Sequence, residues 1–421
     1  MRVPISGGAV RAYRLPSLTE ITGAVRGRIP PVDRVIGLLA ESDLLFLRTE
    51  KKEVLALDLE SGRLDTVATG VELATLGPDG TLFTVDAQRR VISLKRRVRF
   101  AWPQPLSGMP RELFGGGDQR LVAVVTQAPT RLITAGADQP PASREIELSG
   151  DVAASFWGDL VAFAGDSGVT IIDPRQPRDS SFVPIPDKPR ALQFSPAGHR
   201  LYVARRSGLG LAVIDRFSRE EIDGVALPAP AATMRIDAYG RWLLARPSVG
   251  DTAWVVDLPV KSLRGAVVTE WESDLPAVAP DGSVLLRQGS AIAAVRAETL
   301  EEMGRVANGA GDIWVATGWL PRGLARGSAL DEPTTATADS SGPEGPLYVQ
   351  VSVSQNQAWS VENAEQLVRA GLPARVLAPA SPDEGYRVVL GPYPTRAQAE
   401  VIGRKLGRPF WIYQPQGGPP Q

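Results

Sequence analysis

ALQFSPAGHRLYVARRSGLGLAVIDRFSREEIDGVAL, residues 191–227 of the 421-residue chain, contains four short apolar segments separated by turns. LYVAR (201–205) and LAVID (211–215) are rich in β-branched and aromatic residues and too short for helices. Between the first two segments, Pro196-Ala197-Gly198 supplies a fixed φ and then a residue that accepts positive φ, the composition of a tight turn. The unit recurs. Its first turn falls near Ser42 (ESD), Gly80 (PDG), Asp118 (GGD), Gly158 (WGD), Gly198 (PAG), Gly240 (AYG) and Gly282 (PDG), at spacings of 38, 38, 40, 40, 42 and 42 residues. A fixed period of this length with four strands per unit predicts propeller blades.

Working outward, residues 34–307 hold seven complete units, and a fragment lies at each end. GAVRAYRLPSLTEIT (8–22) matches the last two strands of a unit, compared with SAIAAVRAETLEEMG at 290–304, and DIWVATGW (312–319) matches a first or second strand. Two such fragments predict a closing blade shared between the ends, which leaves no free sheet edge. Eight blades with a split closing blade is the favoured reading, and seven is the alternative. On this reading Met1 falls within a blade, so a leader is expected to be missing from the chain. Taken literally, the N-terminus lacks the apolar stretch of a secretory signal and would place the protein in the cytoplasm. The copy at 191–227, with LYVA and AVID in its middle strands, resembles the YVTN-type repeat of bacterial envelope propellers.

After 1–320 the character of the chain changes twice. Residues 321–346 lose periodicity and become rich in Pro, Gly, Ser, Thr and Ala, a composition that predicts a flexible linker. Residues 347–415 then alternate quickly: strand LYVQVSV, helix 358–371 with an apolar stripe of Val361, Ala364, Leu367 and Val368 capped by Gly371, strand ARVLA, strand YRVVL, a second helix, and strand RPFWIY. Thr395 and Gln398 form a capping-box pattern at the second helix, which runs through Ala399, Ile402 and Leu406 to Gly407. The order βαββαβ predicts a small α+β, ferredoxin-like domain with both helices on one face of an antiparallel sheet. Residues 416–421 read as a disordered tail.

This last module resembles the SPOR domain. The resemblance rests on Val349-Gln350-Val351, Ala364 with Leu367, Gly371, Tyr386-Arg387-Val388, Gly391-Pro392-Tyr393, and Ala397 with Ala399-Glu400. It implies a domain that docks on peptidoglycan glycan strands stripped of their peptides, at sites of wall remodelling or cell division. One departure stands out: the family's Gly-Ser-Phe after the first strand is here Ser352-Val353-Ser354. Period-2 alternation directs Val349, Val351 and Val353 to the helices and leaves Tyr348, Gln350 and Ser352 on a free face. On the third strand it puts Arg387 and Val389 on that face. Trp411 and Tyr413 fit either side. An amide, a hydroxyl, a guanidinium and aromatic surfaces suit a sugar polymer, so the expected glycan-binding residues are Gln350, Arg387, Ser352, Tyr348 and Trp411.

Composition narrows the rest. With 46 basic and 47 acidic residues the net charge is −1, giving no electrostatic field for nucleic acid. No apolar run approaches the ~18 residues of a membrane span. The chain has no cysteine and one histidine, His199, expected as an exposed turn residue. Asp79, Asp118, Asp159 and Asp281 recur at blade turns, where Asp is favoured for local backbone bonding. The glycine run 115–117 lacks the Lys-Ser/Thr and helix of a phosphate loop. No catalytic residue, metal site or cofactor is expected. The reading is a non-enzymatic envelope protein, periplasmic, with peptidoglycan as one partner and an unknown protein on the propeller. Its alternatives are a wall-targeted propeller hydrolase or lyase, and a scaffold whose SPOR-like domain no longer binds glycan.

Overall fold

The computed structural model describes residues 1–421 apart from 96–97, 118, 137–138, 322–345, 355–356, 370–371, 380–383, 407–409 and 416–421. The Asp118 turn, the Gly371 and Gly407 caps, the tail and nearly all of the 321–346 linker therefore lie outside the described residues.

Among the described residues, 32–306 form seven four-stranded antiparallel sheets, each with its strands in chain order. In the sheet of residues 189–225, Leu192 pairs with Val203, Val203 with Ala212 and Ala212 with Gly224. The first turn in this sheet places Gly198 at φ 73°, and the next sheet repeats it with Gly240 at φ 71°, where a side chain would be strained. Leu201, Tyr202, Val203 and Ala204 are all buried, so polar–apolar alternation is lost in the middle strands. The reason is that each sheet is sandwiched between two neighbours. One apolar cluster fills each interface, as between the fourth and fifth sheets (Ile171, Val183, Phe194, Val203, Ile214).

The two ends of the propeller meet in a set of short two-stranded pairings linked by an isolated bridge, which together stand as a composite closing sheet. Ile313–Trp314 pairs with Arg2–Val3, Arg2 bridges Arg11, and Tyr13–Arg14 pairs with Thr19–Glu20. The Met1 ammonium donates to the Val315 carbonyl at 2.8 Å, and burial pushes its pKa down to about 5. Arg2 closes the join on Asp312 at 2.5 Å. Val3, Val10 and Ala12 pack against Leu45 and Leu57 of the first sheet, while Leu18 and Trp314 pack against Leu275 and Leu285 of the seventh. The sheets therefore close into a ring.

The C-terminal module contains β1 (Leu347–Ser354), α1 (Gln357–Arg369), β2 (Ala374–Leu377), β3 (Tyr386–Tyr393), α2 (Arg396–Lys405) and β4 (Trp411–Tyr413). Its strands lie in the order β2–β3–β1–β4, all neighbours antiparallel. Val349, Val351, Val388 and Leu390 form one core with Ala364, Leu367, Ala399, Leu406 and Phe410. At the start of α2, the Gln398 N–H donates to Thr395 Oγ1 at 3.3 Å, the expected cap. The stripe on α1 differs from the expected one. Val361 and Val368 are exposed and line a groove of about 530 Å³, and the buried side is Trp359, Ser360, Asn363, Ala364 and Leu367. The helix is rotated so that Asn363 is turned toward a partner on β1, described below.

Candidate ligand-binding face

The sheet face turned away from the helices assembles most of the expected residues. Gln350 pairs with Val389 on one side and Trp411 on the other, and Tyr348 pairs with Tyr413, so these side chains share a face. Arg387 joins them: its Nη1 donates to Gln350 Oε1 at 3.0 Å, and its guanidinium lies 4.6 Å from the Tyr413 ring centre. Because a guanidinium only donates, this bond fixes the orientation of the Gln350 amide. Its Nε2 then points into the buried face with no hydrogen-bond partner among the described residues. Arg375 of β2 also reaches this face, donating to the Tyr348 hydroxyl at 2.9 Å and lying over its ring. The sequence reading missed Arg375, although alternation in ARVL separates it from the core-facing Val376.

Ser352 is on the other side, contrary to expectation. The β1–β3 register shifts between Gln350 and Ser352, a bulge that places one extra residue, Val351, in β1. Past the bulge the faces are exchanged. Ser352 pairs with the core residue Val388, and its Oγ accepts a 2.8 Å hydrogen bond from Asn363 Nδ2 of α1. It is a buried structural hydroxyl.

The face is not free either. Gln350 and Tyr348 are only 1% and 3% exposed. The module sits on the propeller face that carries the first turn of each blade. Trp411 packs on His199 with ring centres 4.9 Å apart, and Arg387 lies 5.5 Å from the ring centre of Phe217. At the rim, Trp157 Nε1 donates to the Val351 carbonyl at the bulge (3.1 Å), and its ring meets Trp359 edge-on at 6.1 Å. Arg175 stacks on Trp359 and donates to Ser354 Oγ at 3.5 Å, while Tyr239 packs on Phe410. The expectation of an unoccupied sheet face is thus corrected.

His199 is correspondingly not an exposed turn residue. It is partly accessible, its Nδ1 lies 3.3 Å from Ser195 Oγ, and its pKa is pushed down to about 3. Burial is the main cause, and the charges of Arg200, Arg387 and Arg216 act in the same direction. The turn aspartates have local and inter-blade partners. Asp79 accepts from Lys95 and from the Gln119 N–H of the next blade, Asp281 from Ser283, and Asp159 from Arg216. Among the described residues no group of three His, Asp or Glu is placed to hold a metal ion. At the innermost strands, burial raises the pKa of both Glu112 and Asp151, and Asp151 raises that of Glu112 further. Asp151, however, spends its two oxygens on the N–H groups of Val152 and Leu192, the second in the next blade.

No family model and no curated protein matches the chain. Solved structures do. It is similar to dihydro-heme d1 dehydrogenase NirN, solved in complex with DHE, with a TM-score of 0.54 and 13% identity over 73% of each chain. Apo AztD from Citrobacter koseri is similar with a TM-score of 0.50 and 12% identity, over 74% of this chain and 95% of the other. Both are propeller proteins. At such identities the likeness speaks for the fold alone, and it agrees with the repeated four-stranded sheets: the chain carries a β-propeller.

Proposed function

We propose that residues 347–413 form a ferredoxin-like, SPOR-like module that binds peptidoglycan glycan strands, and that the propeller is a protein-interaction scaffold. The whole works in the bacterial cell envelope, on the periplasmic side, without catalysis of its own. The observation that carries this reading is the Arg387–Gln350 pair, whose buried amide nitrogen keeps both its N–H donors without a partner among the described residues, on the sheet face shared with Tyr348, Tyr413 and Trp411. Glycan hydroxyls need such donors, and sugar rings need flat apolar surfaces beside them. The strand order of the module and the motif residues on β1 and β3 support the same reading. Tethering a scaffold to the wall raises the local concentration of whatever the propeller holds.

The test is retention of the full chain on purified sacculi before and after amidase treatment. Replacing Gln350 and Arg387 together by Ala is expected to reduce retention severalfold while the melting curve stays cooperative. Retention that ignores this double change removes these residues from the site. The catalytic alternative would centre on Glu112 and Asp151. It is disfavoured because both Asp151 oxygens bind backbone N–H groups and act as an inter-blade staple.

A further inference from the structure

We infer that the propeller is an intramolecular cover for the module's binding face, so that the chain alternates between a closed form and a released form competent for glycan. This rests on the glycan reading above and adds its regulation. The contacts that carry it are those of the sheet face itself. Trp411 is occupied by His199, Arg387 by Phe217, and the β1 bulge by Trp157. A sugar strand and the propeller therefore compete for the same atoms.

The character of the contact fits one that separates. Among the described residues it consists of ring edges, guanidinium groups over rings and single hydrogen bonds from side chains, with no strand pairing between the propeller and the module. Interfaces of this polar kind between units of one chain are the ones that move. The unpartnered Gln350 amide points the same way. In the closed form the Gln350 amide nitrogen, on the face proposed for the ligand, has no hydrogen-bond partner among the described residues, a desolvation cost that an acceptor on the ligand would remove. The propeller covers the face without reproducing the ligand's hydrogen bonds, so the ligand retains an advantage over the cover. Apparent affinity then equals intrinsic affinity scaled by the released fraction.

Three forms of the full chain decide the matter. Trp157→Ala with Phe217→Arg loosens the cover, removing the bond to Val351 and placing a cation against Arg387, without touching Gln350, Arg387, Tyr348 or Trp411. Arg175→Cys with Ser354→Cys, joined by a short bis-maleimide, locks it, and the absence of native cysteine makes the link specific. The probe is sacculi stripped of peptides by amidase, and small-angle scattering reports the maximum dimension of each form.

The loosened form is expected to be larger and to be retained about tenfold better than wild type. The locked form should lose retention by at least as much, while its unlinked control, which lacks the Arg175 contacts to Trp359 and Ser354, is retained at least as well as wild type. Equal retention of loosened, wild-type and locked chains overturns the cover and leaves glycan binding standing. No retention of any form, with the loosened chain enlarged, removes glycan as the ligand and this inference with it.

Discussion

Arg216→Met is the most informative single change in the propeller. Arg216 Nη2 donates to Asp159 Oδ2 at 2.7 Å across the boundary between the fifth and fourth sheets, and the two side chains are 4% and 3% exposed. Ser155 Oγ donates to the other Asp159 oxygen at 2.5 Å. Removing the guanidinium leaves a buried carboxylate with a neutral partner only, a defect worth about 3–5 kcal/mol. Unfolding entropy of ~2.1 cal/mol/K per residue over about 310 residues gives roughly 0.65 kcal/mol/K, so the propeller should melt about 5–8 °C lower. Adding Asp159→Asn removes the stranded charge, and the double variant should recover most of the loss. Thermal melts followed by circular dichroism on the full chain read both. A single variant within about 1 °C of wild type, or a double variant no better than the single, would refute the reasoning.

His199 gives a pH prediction. Its folded pKa lies near 3, below the ordinary 6.5, so the neutral ring is favoured by folding; that contribution is present above about pH 6.5 and is lost progressively as pH falls toward 3. Between pH 7 and 5 the wild type should lose on the order of 1 kcal/mol, after allowing for the partial exposure of the ring, that His199→Gln does not lose. Denaturant midpoints at the two pH values measure the difference, and parallel losses in the two proteins would contradict the assignment. Ser352→Ala should destabilise the module by about 1–2 kcal/mol by stranding the Asn363 amide, with retention of the folded protein on sacculi unchanged. Lower retention at unchanged stability would return Ser352 to the binding face.

The propeller was legible because its turns are local. Pro-Asp-Gly and its relatives recur at a fixed interval, and positive φ at Gly198 and Gly240 is a demand that sequence alone satisfies. The end fragments could be assigned by comparison with complete units, and Arg2–Val3 beside Ile313–Trp314 shows how they join. In the module, the Gln350–Arg387 pairing follows from strand alternation. Ser352 did not follow it, because the bulge at Val351 has no glycine or proline to announce it, and one extra residue exchanges the two faces. Asn363 and Ser360 look like a solvated helix face until the hydroxyl of Ser352 is found beneath Asn363. The surroundings of His199 were out of reach for a different reason: its cover, Trp411, lies more than two hundred residues further along the chain.

The composite closing sheet also determines how the propeller would bear tension. A pull on the chain beyond Pro321 first meets Trp319, whose ring is buried against the first sheet and whose Nε1 holds Asp43 at 2.6 Å. Next it meets the strand at Ile313–Trp314, which is bonded to the segment beginning at Met1 and, through the Trp314 N–H, to Asp274 at 2.7 Å. Asp274 is itself gripped by Arg287 of the seventh sheet. Force entering at one end is thus divided among the closing sheet and the sheets on either side of it. The seam behaves as a spliced joint, and peeling it requires three neighbouring sheets to yield together.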